Sequence, residues 1–146
     1  MNLTPNDFFE LTNNNCSDIF KNSIYVWEGL KNIKSFLDER LFPNTPKLSL
    51  TNPVLEKTVI LHQGRVIDSD FEINNTGNSK EPYEVKVSGE ILKNAAIIFA
   101  GAVLMDEKIS IGSGSVVESG ALIKGPTIIG SHTEIRQGAY IRGEVI

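Results

Sequence analysis

Six consecutive hexads, residues 111–146, constrain this chain more than any other feature. Cut at every sixth residue from Ile111, the sequence reads IGSGSV, VESGAL, IKGPTI, IGSHTE, IRQGAY, IRGEVI. The first column is Ile111, Val117, Ile123, Ile129, Ile135 and Ile141 without exception. The fifth is Ser115, Ala121, Thr127, Thr133, Ala139 and Val145, all small or β-branched. A period of six matches neither a helix, which repeats about every 3.6 residues, nor a strand, which alternates about every two. It is a signature of β-solenoids. An ordinary run of short strands with glycine-rich turns would not hold register over six repeats.

In a left-handed β-helix each hexad is one side of a triangular coil. Three hexads then bring the chain back one strand spacing further along, about 4.8 Å. The first-column side chain points to the axis and stacks on its equivalent in the next coil. The fifth column lies near a corner, where a large side chain would strike the wall. Gly114, Gly120 and Gly138 stand just before that corner, where the backbone needs a positive φ. Residues 92–97 and 98–103 fit the same pattern, with Ala96 and Ala102 in the fifth column, whereas 104–110 carry one residue too many, a corner insertion. The expected fold is mainly β: a left-handed parallel β-helix of about three coils (92–110, 111–128 and 129–146). Its last coil would leave an unpaired backbone edge, with Ile129, Ile135 and Ile141 facing solvent. Solenoids avoid that, so either the polypeptide runs past Ile146 or another subunit covers the end.

Upstream, residues 1–43 read as a helical cap. Thr4 and Pro5 open a short helix through Phe8, Phe9 and Leu11; Asn13 to Asn15 break it, and Ser17 and Asp18 offer a second start. From about Tyr25 to Leu41 the apolar residues Trp27, Leu30, Ile33, Leu37 and Leu41 recur at three- and four-residue spacing, and Pro43 stops the pattern. Laid across the open end of the coils, that stripe would supply the cap solenoids require. Residues 44–91 read as a linker with a small β-hairpin insertion. Residues 58–61 and 66–67 flank a turn at 62–65, and a third strand spans about Tyr83 to Ile91. The polar loop 74–82 between them is the expected mobile element.

The formal net charge of −4 is spread along the chain. Nucleic acid and anionic membranes want a clustered basic footprint, so neither is an expected partner. The start has no basic segment followed by an apolar one, and no stretch approaches the ~20 apolar residues of a membrane span. The single Cys16 fits a reducing cytosol. The expected location is cytoplasmic, and no ligand set for a metal is apparent.

Residues 123–130, IKGPTIIG, and 133–143, TEIRQGAYIRG, resemble the C-terminal left-handed β-helix (hexapeptide repeat) domain of sugar-1-phosphate nucleotidyltransferases. The likeness is greatest to the bifunctional UDP-N-acetylglucosamine pyrophosphorylase–glucosamine-1-phosphate N-acetyltransferases. Residues 25–31, YVWEGLK, also look like the linking helix that precedes this domain in shorter members. The resemblance covers 25–42 loosely and 92–146 well, and it does not extend to 44–91. It implies a homotrimer, acetyl-CoA along a flank between subunits, and a sugar phosphate or sugar nucleotide as ligand. In the family an Arg before Pro-Gly-Ala contacts the sugar phosphate or nucleotide. The matching position is Arg136, with Gln137 in place of the Pro. Arg142, Tyr140 and Glu134 lie beside it as further substrate-binding candidates. A guanidinium, planar and rich in donors, suits a phosphate.

The family's catalytic His, its phosphate-binding Lys residues and its CoA-site residues lie in coils after this motif, and no glycine-rich uridylyl-transfer motif opens the chain. His132, in the fourth column, could serve as a general base by chemical type, but it does not match the family's catalytic position. Two functions follow. One is an acetyl-CoA-dependent sugar-phosphate N-acetyltransferase. The other is a non-catalytic trimerisation or sugar-nucleotide-binding module, or a fragment lacking the acetyl-transfer coils.

Overall fold

The computed structural model describes residues 3–12, 14, 16–47, 52–75 and 83–146. Thirteen short strands and one α-helix order as follows: β1 (Val59–His62), β2 (Arg65–Ile67), β3 (Phe71–Asn74), β4 (Glu84–Val87), β5 (Glu90–Ile91), β6 (Ala96–Ile98), β7 (Val103–Leu104), β8 (Ile109–Ile111), β9 (Val116–Val117), β10 (Leu122–Ile123), β11 (Thr127–Ile129), β12 (Glu134–Ile135) and β13 (Tyr140–Ile141), with α1 at Ile33–Arg40. The protein is mainly β.

From Ala96 onward the strands build three parallel stacks that the chain visits in turn: β6–β9–β12, β7–β10–β13 and β8–β11, the last extended by a bridge from Thr127 to Val145. Val116 pairs with Glu134, Leu122 with Tyr140 and Ile109 with Thr127, a step of 18 residues, or three hexads. One level earlier Ile97 pairs with Val116 and Val103 with Leu122, a step of 19. The extra residue therefore sits between β7 and β8, where the sequence placed its insertion. This arrangement is compatible with a β-helix. The first-column residues Ile111, Val117, Ile123, Ile129 and Ile135 form one buried core with Ile98 and Leu104, and Ile141 packs against it. Gly114, Gly120 and Gly138 all carry positive φ (71°, 79° and 80°), which a side chain would strain. Leu92 departs from the pattern: it joins a separate cluster with Val85 and Ile97, outside the axis, so the stacks begin at Ala96.

The end expected to expose three isoleucines does not. Ile129 and Ile135 are only 6% and 5% exposed, and Ile141 is half-buried. Axial residues of one level cover one another as well as those above. What does lie open, among the described residues, is backbone: β12 and β13 are the terminal strands of their stacks.

At the opposite end all three edges are closed, by Asn44, residues 53–55 and β1. Asn44 brackets β8: its N–H donates to the Ile109 carbonyl, its side-chain amide to the Ile111 carbonyl, and its side-chain carbonyl accepts the Ile111 N–H at 2.9 Å. Val54 bridges Val103 antiparallel, with Leu55 donating to Ala102 and Leu104 to the Pro53 carbonyl. Strand β1 pairs antiparallel with β6. Leu55, Val59 and Leu61 drop into the axial core. The described parts of a stretch that reads as a linker thus lie over the first level of strands, with Val54 and β1 antiparallel to it.

β1 and β2 form the expected hairpin, closed by Gln63 and Gly64 at positive φ (48° and 74°). This is the geometry that matches strand twist in tight hairpins. The single strand expected over 83–91 is instead two, β4 and β5, turned at Ser88 and Gly89 with φ 52° and 83°. With β3 they make an antiparallel sheet whose Val85 buries against the outer face of β1 and β6 through Ile60 and Ile97. Residues 76–82 of the loop expected to be mobile lie outside the described residues.

The N-terminal stretch is less helical than its pattern predicts. Pro5–Asp7, Ser17–Phe20 and Val26–Asn32 are 3₁₀ turns, and the α-helix covers Ile33–Arg40 alone. The break expected at 13–15 falls partly outside the described residues. Phe36 and Leu37 are buried, but Trp27 and Leu30 are exposed. In a 3₁₀ turn residues three apart eclipse one another, so 27 and 30 share a row that has left the predicted stripe. Gly29 lets the Phe20 ring approach, since a Cβ there would stand 2.7 Å from Phe20 Cε1. Among the described residues no helix is long and apolar enough to cross a membrane.

Candidate functional site

The predicted site residues divide between neighbouring stacks. In a two-residue strand the residues on either side of a buried one point outward together. Ile135 is buried, and Glu134 and Arg136 flank it, exposed. They meet: Arg136 Nε and Nη2 both donate to Glu134 Oε2, at 3.1 and 2.7 Å. This contact holds the guanidinium pKa above its ordinary value, with the charges of Glu134 and then Glu118 adding to it. Glu118 is itself anchored, accepting the Gln137 N–H at 2.8 Å. A phosphate reaching Arg136 must displace a carboxylate and come close to a second.

The next stack carries Tyr140 and Arg142. Tyr140 is 56% exposed, and Lys124 Nζ lies over its ring, 5.6 Å from the centroid. Register makes this contact, because Leu122 pairs with Tyr140 and Ile123 with Ile141. Lys124 was not among the sequence candidates. Its signal was there: Lys124 and Arg142 share the second hexad column, three hexads apart, which is one full circuit of the stacks.

His132 stands at the corner before β12 with φ 55°, and its N–H donates to the Ser113 carbonyl at 2.9 Å. The ring lies across Gly114, where a Cβ would meet His132 Nδ1 at 2.6 Å. Among the described residues the exposed ring makes no hydrogen bond. A general base normally has its tautomer fixed by a partner on the second nitrogen. Among the described residues His132 has no such partner.

Two cavities lie elsewhere. One of about 620 Å³ runs beside the cover over the first strands, between Lys47, Val54, Lys57 and Asp68. A second, of about 390 Å³, opens on the β3–β4 sheet between Phe71, Glu72 and Lys86. Neither is lined by a predicted site residue. Cys16 is half-buried, and desolvation raises its thiol pKa. No family model, curated protein or solved structure matches the chain.

Proposed function

We propose that this chain is a left-handed parallel β-helix protein of the hexapeptide acyltransferase type in sugar-nucleotide biosynthesis. Its role there is to bind glucosamine 1-phosphate or UDP-N-acetylglucosamine, as a cytoplasmic homotrimer. The observation that supports this best is the 18-residue step between paired strands, combined with an unbroken axial column of Ile and Val. That combination is what the resembled β-helix domains need. Arg136 is the residue the resemblance selects for the phosphate. Its exposed pairing with Glu134 is of the weakly held surface kind, so a phosphate can take the carboxylate's place.

Binding is favoured over turnover because, among the described residues, the His132 ring has no orienting partner. The second reading, an acetyl-CoA-dependent N-acetyltransferase, rests on the resemblance alone. Thermal shift separates the two. UDP-N-acetylglucosamine at millimolar concentration is expected to raise the melting temperature of the wild type and not of Arg136→Ala. Acetyl-CoA with glucosamine 1-phosphate is expected to release no thiol. No shift with either ligand would remove the sugar-phosphate reading, and sustained thiol release would replace binding with catalysis. Sedimentation of the unliganded protein tests the trimer.

A further inference from the structure

Second-column residues 18 apart lie side by side across the parallel ladders. On the β8–β11 stack they are Gly112 and Gly130, so close that a Cβ on Gly112 would meet the Gly130 carbonyl carbon at 2.5 Å. On β9–β12 they are Glu118 and Arg136, opposite charges beside the paired strands Val117 and Ile135. On β10–β13 they are Lys124 and Arg142, which follow the paired residues Ile123 and Ile141.

The last pair is of like charge. Neighbouring strands are about 4.8 Å apart, and like charges set directly across a ladder repel. Among the described residues no carboxylate comes within 4.0 Å of either cation; the ion pairs are Arg40–Asp18, Lys86–Glu84 and Arg136–Glu134. Two acids lie nearby. Asp106 packs against Gly125 and is engaged by the Lys108 N–H at 2.7 Å. Glu144 lies beyond, where its N–H donates to the Pro126 carbonyl at 2.7 Å. Neither forms an ion pair with Lys124 or Arg142 within 4.0 Å. On the adjoining wall Arg136 pairs with Glu134 and has Glu118 as a further charged neighbour.

We propose that Lys124, Tyr140 and Arg142 form a binding site for a dianionic phosphate group on the outer wall of the β7–β10–β13 stack. Arg142 offers a planar fork of donors and Lys124 a compact charge. The Tyr140 hydroxyl adds a donor, and the ring already holds Lys124 near the position a phosphate would occupy. The exposed Met105 stands one level above Lys124, where its N–H donates to the Ile123 carbonyl. That side of the site therefore suits the less polar part of a phosphate monoester. The site deepens the sugar-phosphate reading, which already counts Tyr140 and Arg142 among its candidates; it adds Lys124 through the ladder register and does not need Arg136.

Inorganic pyrophosphate, titrated calorimetrically at low salt, is the probe. Saturable binding is expected for the wild type, weakened at least tenfold in Lys124→Gln and in Arg142→Gln. Without pyrophosphate, Lys124→Gln is expected to melt no lower than the wild type, because the substitution relieves repulsion; this also shows that the variant folds. Absence of binding to the wild type at millimolar pyrophosphate overturns the site. So does binding that survives both substitutions, or that is lost in Arg136→Gln alone.

Discussion

Ile123 and Leu30 are similar in size and apolarity, yet Ile123 is fully buried in the axial core while Leu30 is 71% exposed on the 3₁₀ stretch. The difference lies in how many independent contacts must agree for each to be covered. In the stacks every axial side chain has neighbours one level away at a separation set by the covalent repeat, so the column is covered collectively. Among the described residues the N-terminal stretch relies on contacts between its own short turns, Phe20 against Gly29 among them. There a change from α to 3₁₀ geometry is enough to rotate a row out of contact. Register enforced by repetition is robust, and amphipathicity on a single short segment is not.

The sharpest way to break this contrast is to truncate one residue of each kind. Ile123→Ala is expected to cost on the order of 2–5 kcal/mol by urea unfolding, and Leu30→Ala no more than about 0.5 kcal/mol. Comparable losses would mean that the two regions are held in the same way. Next in size is Asn44→Ala, which strips the bracket from β8 and leaves the Ile111 N–H and carbonyl without their partners. A loss of about 1–3 kcal/mol is expected, with faster hydrogen exchange at the Ile111 amide as the local readout. An unchanged exchange rate there would mean that the edge is not closed by this residue.

The smallest effect belongs to the N-terminal stretch. The Glu28 carboxylate accepts the N–H groups of Ile24 and Tyr25 at 2.7 and 2.9 Å, and these bonds hold its pKa below the ordinary 4.5. A depressed carboxylate contributes stability above its unfolded value and loses it as pH falls through the folded one. Acidification below 4.5 is therefore expected to loosen this turn and alter the fluorescence of the single tryptophan, Trp27, which stacks on Tyr25. Glu28→Gln should flatten that response; an identical pH profile in the variant would place its origin elsewhere.

The parallel stacks were legible in the sequence because their determinants are periodic. The first column, the glycines at the corners and the insertion between β7 and β8 all follow from counting by six. The cover over the first strands was not legible, since Asn44 acts through side-chain atoms on a strand 67 residues away and nothing local marks it. The β4–β5 hairpin carried a Ser88-Gly89 turn signal that the alternation around it masked. On the walls, the meeting of Glu134 with Arg136 follows from the two-residue alternation of strands. The pairing of Lys124 with Arg142 appears only once the hexads are stacked in threes.

The cover over the first strands also sets a sequence of events in time. Asn44, Val54 and β1 are synthesised before every strand they close, and the last of those edges, at Ile111, lies 67 residues downstream of Asn44. Chains emerge from the N-terminus and loops must close before long-range contacts form. β1 can close its local hairpin with β2 early, but the closing contacts of Asn44, Val54 and β1 must wait until β8, β7 and β6 have been made and brought together. The lid is written before the strands it covers and is among the last parts to be fastened.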